Sequence, residues 1–296
     1  MPPRMPHRFH IVDVFAEQLH AGNTLAVVRD AADLDTGAMQ RIAREFGFSE
    51  TTFVTSLGPG PEASVRIFTP AEELPFAGHP TLGTAWVFRE HLLPARPALV
   101  TLALGVGKVP VAFELDASGG EITWLTAPPV KLQRTLEPAR IAPALGLASS
   151  DIAADLPVQE VRAGVHQLLV PLASLAAARR ARFDPAAFAP LRELGFPDHI
   201  YLFARETEAP ENQLHSRMFF SADGVREDPA TGSATACLGA YLLAHGRQGD
   251  RFALRIEQGV EMGRPSLLRL EVTRESTAAK IRVGGRVLES ARGELL

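Results

Sequence analysis

Along this chain, apolar residues recur first at helical spacing and then in strand-like β-branched and aromatic runs, and the same succession appears twice. Asp35 to Phe46 reads as a helix ending at a glycine, the residue that accepts the left-handed conformation beyond a last helical turn. Thr51 to Thr55 reads as a strand, followed by the polar segment Leu57-Gly58-Pro59-Gly60-Pro61-Glu62 and a second strand from Ser64 to Phe68, which makes a hairpin. A second helix is predicted from Thr81 to Glu90. The later pass gives a helix over Pro185 to Leu194, a strand over Ile200 to Phe203, a polar turn over Glu206 to Asn212, a strand over Ser216 to Phe220 and a helix over Thr231 to Ala244. Thr101 to Leu115 and Ile122 to Leu125 read as strands closing the first half. The second half resumes with Val161 to Leu172 and ends with strands around Ala253 to Ile256 and Ser266 to Val272.

The recurrence extends to residue identity. Arg44-Glu45-Phe46-Gly47-Phe48-Ser49-Glu50 returns 148 residues later as Arg192-Glu193-Leu194-Gly195-Phe196-Pro197-Asp198. Arg66-Ile67-Phe68-Thr69-Pro70-Ala71-Glu72 returns 151 residues later as Arg217-Met218-Phe219-Phe220-Ser221-Ala222-Asp223, and the same offset carries Thr84-Ala85 onto Thr235-Ala236. Two matches in one order, with the offset growing by three residues, indicate duplication, the growth being absorbed by a longer turn in the second copy. The expected architecture is therefore α/β with mixed sheets in two pseudo-symmetric halves, 1–126 and 127–282, divided near Pro128-Pro129. A C-terminal segment, 283–296, is expected to pack back on the first half. The cleft between such halves is the natural place for a ligand.

Two segments brought into register by the 151 offset carry the candidate chemistry: Pro75-Phe76-Ala77-Gly78-His79-Pro80-Thr81 and Glu227-Asp228-Pro229-Ala230-Thr231-Gly232-Ser233-Ala234. Each leads into a predicted helix. Small residues there let a ligand approach the backbone, and free first-turn amides at the positive end of the helix dipole suit a carboxylate or a developing anion.

Phe48-Ser49-Glu50-Thr51-Thr52-Phe53, Gly78-His79-Pro80-Thr81, Glu227 to Ala234, and Val12-Asp13-Val14-Phe15 followed by Gly22-Asn23 resemble the signature segments of the PhzF, phenazine-biosynthesis-like, family. The resemblance runs in order from about residue 8 to residue 270. It implies a diaminopimelate-epimerase-like fold, each half a sheet wrapped around a central helix, assembled as a homodimer. It also implies a cofactor-independent isomerase that moves a proton between carbons of a small carboxylic acid, in the manner of dihydro-hydroxyanthranilate isomerisation. By this resemblance Glu50, His79 and Asp228 are catalytic, and Ser233, Gly78, Thr231 and Gly232 bind substrate. Physical chemistry is compatible with those roles. Burial brings a carboxyl group's proton affinity toward that needed at neutral pH, and fixed amide dipoles stabilise a delocalised anion. The plainer alternative is an exposed Glu50, a helix-capping Asp228 and a surface His79.

Charge and cysteine content narrow the classes further. A net charge of −4 leaves no basic footprint for nucleic acid or an anionic membrane, and no apolar run reaches the length of a membrane span. The opening MPPRMPHRFHIVDVFA lacks a signal-peptide core, so the expected location is cytoplasmic. One cysteine, Cys237, permits neither an intrachain disulfide nor the two-thiol chemistry of racemases sharing the fold; its counterpart at the 151 offset is Trp86. Nine histidines without an HExxH or paired spacing predict no metal site. Arg66 and Arg217 read as structural charges on strands. His166 and Gln167 are weaker candidates for lining the cleft, and His215 reads as a surface residue as readily as anything else. The rival to an isomerase is a non-catalytic binding or interaction protein of the same fold, separable by whether Glu50→Gln abolishes an activity or only alters affinity.

Overall fold

Asp35 ends an extended segment and accepts the amide of Ala38 at 2.7 Å, while Gly47 adopts φ 65°; between these two caps lies helix α1, Thr36–Phe46. The structure, a computed structural model, describes residues 6–221, 225–246, 248–276 and 279–296. Ala222 and Asp223 of the second repeat match, and the first five residues of the opening segment, lie outside them. Contacts divide the chain into two compact units, one ending at Leu125 and including Gly284–Leu296, the other running from Thr126 to Val283.

The first unit contains strands β1 (His7–Val14), β2 (Asn23–Val28), β3 (Glu50–Leu57), β4 (Glu62–Phe68), β5 (Glu73–Leu74), β6 (Leu99–Leu104), β7 (Gly107–Leu115) and β8 (Glu121–Thr126), with helix α2 (Gly78–His91). The second contains β9 (Lys131–Leu136), β10 (Val158–Ala163), β11 (Val165–Pro171), β12 (Ile200–Ala204), β13 (Leu214–Ser221), β14 (Val225–Asp228), β15 (Arg251–Gln258), β16 (Ser266–Arg274) and β17 (Ala279–Gly285). Its helices are α3 (Pro138–Ile141), α4 (Leu175–Arg180), α5 (Pro185–Glu193) and α6 (Gly232–His245). The final strand, β18 (Val287–Leu295), pairs antiparallel with β1 in the first unit.

Hydrogen bonding orders the first sheet β18-β1-β2-β3-β4-β6-β7-β8, with only β2–β3 and β4–β6 parallel and the short β5 also paired to β4. The second runs β9-β10-β11-β12-β13-β15-β16, parallel only at β11–β12 and β13–β15, with β14 also on β13. The two sheets thus share one topology. In each unit one helix is enclosed by the sheet: α2 touches β1, β2, β3, β6, β7 and β18, and α6 touches β9, β10, β11 and β16. Enclosure demands a helix without a polar face. Every residue from His79 to Arg89 except Trp86 is accordingly buried, as is every residue from Ala234 to Leu242. Helix α1, by contrast, is amphipathic; Met39 and Ala43 face an apolar cluster with Phe53 and Phe68.

The repeat is visible in side-chain bonds as well as topology. Thr52 and Thr84 share a hydroxyl hydrogen bond at 2.7 Å, and their counterparts Tyr201 and Thr235 meet at 3.2 Å, so in each unit a strand is tied to the enclosed helix by one buried polar contact. Arg66 and Arg217 are structural, as their strand positions suggest: each forms a forked pair with the short neighbouring strand, Arg66 to Glu73 at 2.7 and 2.6 Å and Arg217 to Glu227 at 2.7 and 2.8 Å.

Boundaries differ from the sequence reading in three instructive places. Thr101 to Leu115 is broken by a turn into β6 and β7, where Gly107 takes φ 109°, and Val161 to Leu172 is folded into the β10–β11 hairpin at Gly164, φ 80°. Helix α2 begins at Gly78, three residues before Thr81. Pro80 does not prevent this, because the amide it lacks belongs to a first turn that has no intrahelical partner. The three-residue growth in offset is also divided: strand register sets Thr51 opposite Phe68 and Ile200 opposite Phe219, so part of the insertion precedes the strand and the rest lies in the hairpin.

Candidate active site

Glu50 opens β3 immediately after the turn that ends α1, in parallel register with Leu25 of β2. His79 is the second residue of α2. These two elements bring Glu50 Oε2 to 3.3 Å from His79 Nε2, with the side chains only 16% and 8% exposed. Burial pushes the His79 imidazole down to about 3, so it is neutral near pH 7 and the contact is carboxyl to neutral ring, not a fixed ion pair. Such a ring passes or orients a proton without adding positive charge. His79 sits inside the helix and is buried, which removes the surface reading. Its nitrogen chemical shifts should stay constant between about pH 5 and 8. A His79 titration near 6.5 in nitrogen-detected NMR would contradict the burial argument.

Gly78 starts the same helix. Ala77 precedes it in extended conformation and no side chain caps it, whereas the Thr81 hydroxyl donates to the Ala77 carbonyl at 2.6 Å. The first-turn amides of Gly78 and His79 consequently lack a side-chain cap.

In the second unit, Asp228 ends β14 and Thr231 is the residue before α6. The Thr231 hydroxyl does not cap the helix; it donates to the Asp228 carboxylate at 2.5 Å. Asp228 lies three residues before Thr231, the capping position. Gly232 and Ser233, both half-buried, open the first turn, again without a side-chain cap from Thr231. Gln258, fully buried at the end of β15, clamps this loop: its oxygen accepts the Thr231 amide at 3.1 Å, and its amide group donates to the Asp228 carbonyl at 2.7 Å and the Thr231 hydroxyl at 3.0 Å. Gly259 follows at φ 75°, where an added Cβ would lie 2.7 Å from the Pro229 carbonyl, so a larger residue there would push the strand end off the loop. Sequence reasoning missed Gln258. Its only trace was a Gln-Gly pair ending a strand-like run.

The structure thus gathers Glu50, Gly78 and His79 in one unit, and Asp228, Thr231, Gly232 and Ser233 in the other. His215, whose place the sequence left open, lies in the core: it is wholly buried, with Nδ1 2.9 Å from Glu257 and Nε2 3.0 Å from Glu261. His166 is partly exposed and pairs with Glu160 at 2.8 Å, while its neighbour Gln167 is buried. Burial in α6 pushes the Cys237 thiol up to about 12, which leaves it protonated and unreactive.

Set beside known proteins, this geometry has close parallels. The family described as phenazine biosynthesis-like protein matches residues 12–293. An uncharacterized isomerase of Mesorhizobium japonicum is 40% identical, over 96% of this chain and 97% of the relative. The trans-2,3-dihydro-3-hydroxyanthranilate isomerase of Pseudomonas fluorescens is 36% identical, over 98% and 99% respectively. Among solved structures, a phenazine biosynthesis protein of Bacillus anthracis superposes with a TM-score of 0.91 at 27% identity, covering 99% of this chain and 100% of that one.

Proposed function

The chain belongs to the phenazine biosynthesis-like family and is an isomerase, and on that premise we propose that Glu50 moves a proton between two carbons of a small unsaturated carboxylic acid without a cofactor. The observation that carries this reading is the 3.3 Å approach of Glu50 to a buried, neutral His79. With a folded-state value of about 3, His79 is too weak a base to take a carbon-bound proton near pH 7, which leaves that task to the carboxylate beside it. The substrate class is that named for the Pseudomonas fluorescens relative, a dihydro-hydroxyanthranilate. Its conjugated acid suits the step. The Glu50 carboxylate accepts a proton from one carbon, the electron pair delocalises toward the substrate's unsaturated system, and the protonated Glu50, its acid proton exchanging with solvent, delivers a proton to another carbon. No electrons are gained or lost.

Within this scheme, His79 steadies the proton on Glu50, and Asp228, held by Thr231, orients a polar group of the substrate. The Ser233 hydroxyl and the uncapped amides at Gly232 and Gly78 hold the carboxylate and developing negative charge. The enzyme is taken to act in the cytoplasm as a homodimer, an assembly that sedimentation at micromolar concentration tests directly.

The decisive experiment supplies trans-2,3-dihydro-3-hydroxyanthranilate to the purified chain in D2O with no added cofactor. One solvent-derived deuteron should appear at a carbon of the product, and Ser233→Ala should raise KM more than it lowers kcat, because it removes a hydroxyl that holds substrate in both ground and transition states. Absence of both isomerisation and exchange would remove this substrate class.

A further inference from the structure

The first unit also holds a cluster that the proposed chemistry does not use. His10 lies on β1, His91 is the last residue of α2 and Glu289 lies on β18. Antiparallel pairing of β1 with β18 brings residues 10 and 289 together, and the end of α2 places His91 over them. The imidazoles of His10 and His91 stack with centroids 4.2 Å apart, and Trp86 packs edge-on against His91 at 5.9 Å. One carboxylate serves both rings: Glu289 Oε1 is 2.7 Å from His10 Nδ1, and Oε2 is 3.3 Å from His91 Nε2. One potential ligand atom from each residue falls within a 4.8 Å span.

We infer that His10, His91 and Glu289 form a binding site for one divalent transition-metal ion of the zinc type, with a coordination position left for water. Two imidazoles and one carboxylate constitute a zinc ligand set, and zinc bonds of about 2.0–2.2 Å can be reached by small side-chain rotations from these separations. The rings stand face to face above a shared carboxylate, so one cation between the three takes the place of the two separate ring-to-carboxylate contacts, each neutral ring then carrying its proton on its other nitrogen. The carboxyl end of α2 adds partial negative charge where His91 ends the helix. The opposing charges are Arg292, opposite His10 in the strand pair, and Arg29, whose guanidinium donates to the His91 carbonyl at 3.4 Å and is itself paired with Asp30 at 3.6 Å. A bound ion would join β1, α2 and β18, and hence serve stability; neither Glu50 nor His79 takes part.

The test uses the full chain, stripped with a chelator, and Zn2+ alone. Calorimetry and metal analysis after gel filtration should find one equivalent per chain, with thermal unfolding followed by tryptophan fluorescence shifted upward by the metal. His91→Asn and Glu289→Gln should each weaken binding at least about tenfold, the lower range even for loss of an outer partner of a metal ligand, while the exposed His20→Asn leaves it unchanged. Co2+ titration of the wild type provides a readout independent of variant folding, with the intense visible absorption of a four- or five-coordinate ion expected. Failure to retain zinc, equal retention by both variants, or the weak spectrum of octahedral cobalt would overturn the inference.

Discussion

Replacement of Glu50 by Gln should leave a folded protein that still binds substrate and turns it over about 10²–10⁴-fold more slowly, the usual contribution of a positioned acid or base. The substitution keeps volume and shape and removes the proton-accepting oxygen, so the fall belongs in kcat, with KM little changed. The adjacent imidazole is no substitute. His79, at 3.3 Å, is held near 3 by burial, so near pH 7 its free basicity is far below that of an ordinary histidine. Glu50→Asp should be intermediate, because the carboxylate remains but its reach is one methylene shorter. Single-turnover kinetics together with deuterium incorporation in D2O distinguish these results. Wild-type exchange in the Gln variant would transfer the base to another group; loss of exchange with normal thermal unfolding would assign it to Glu50.

The largest stability effect is expected in the other unit, at His215. Burial opposes its charged form, but the hydrogen bonds its ring donates to Glu257 and Glu261 outweigh that and raise it to about 9. Glu257 is correspondingly lowered to about 2: burial acts upward there, and His215, the Glu208 and Ala209 amides and Asn212 overcome it. The distance of His215 from the ordinary histidine value corresponds to about 3 kcal/mol, close to what breaking a buried ion pair costs. His215→Leu should lose about that much near pH 6, since it leaves two buried carboxylates facing an apolar side chain. His215→Gln should lose less because it retains a donor.

The pH dependence provides the sharper test. A folded pKa raised above 6.5 contributes stability that is complete below 6.5 and disappears as pH rises through about 9. The lowered Glu257 contributes stability that is complete above 4.5 and disappears as pH falls through about 2. The difference between wild type and His215→Leu should therefore be greatest between about pH 4.5 and 6.5 and shrink toward pH 9. Both tyrosines, Tyr201 and Tyr241, lie in this unit and both tryptophans, Trp86 and Trp124, in the other, so urea unfolding followed by tyrosine absorbance isolates the effect. A difference independent of pH would mean that His215 acts through packing alone.

Local elements were legible because their determinants lie within a few residues of one another. Asp35 and Gly47 bound α1 through contacts to its own backbone, and the alternating residues of the two hairpins set their faces. Duplication was legible for a different reason: the repeated residues serve repeated structural tasks, among them the Arg66–Glu73 and Arg217–Glu227 pairs and the Thr84 and Thr235 hydroxyls facing a strand. Recognition of Glu50 and His79 came from ordered motifs; their 3.3 Å contact required the enclosed helix to be seated against β3.

What remained illegible depended on partners far apart in the chain. His215 looks like any strand histidine until β13 pairs with β15 and brings Glu257 alongside it, and Gln258 acquires its clamp only when Gly259 lets the strand end approach the Pro229 carbonyl. His10, His91 and Glu289 have no motif spacing, and only the return of β18 to β1 makes them neighbours. Sequence by itself determined the local elements, the twofold repeat and the motif residues, since short-range backbone preferences and side-chain periodicity act on the chain directly. Tertiary structure alone decided the buried charge pairs and the shared carboxylate, because their energies arise when distant strands remove water from groups that would otherwise be separately solvated.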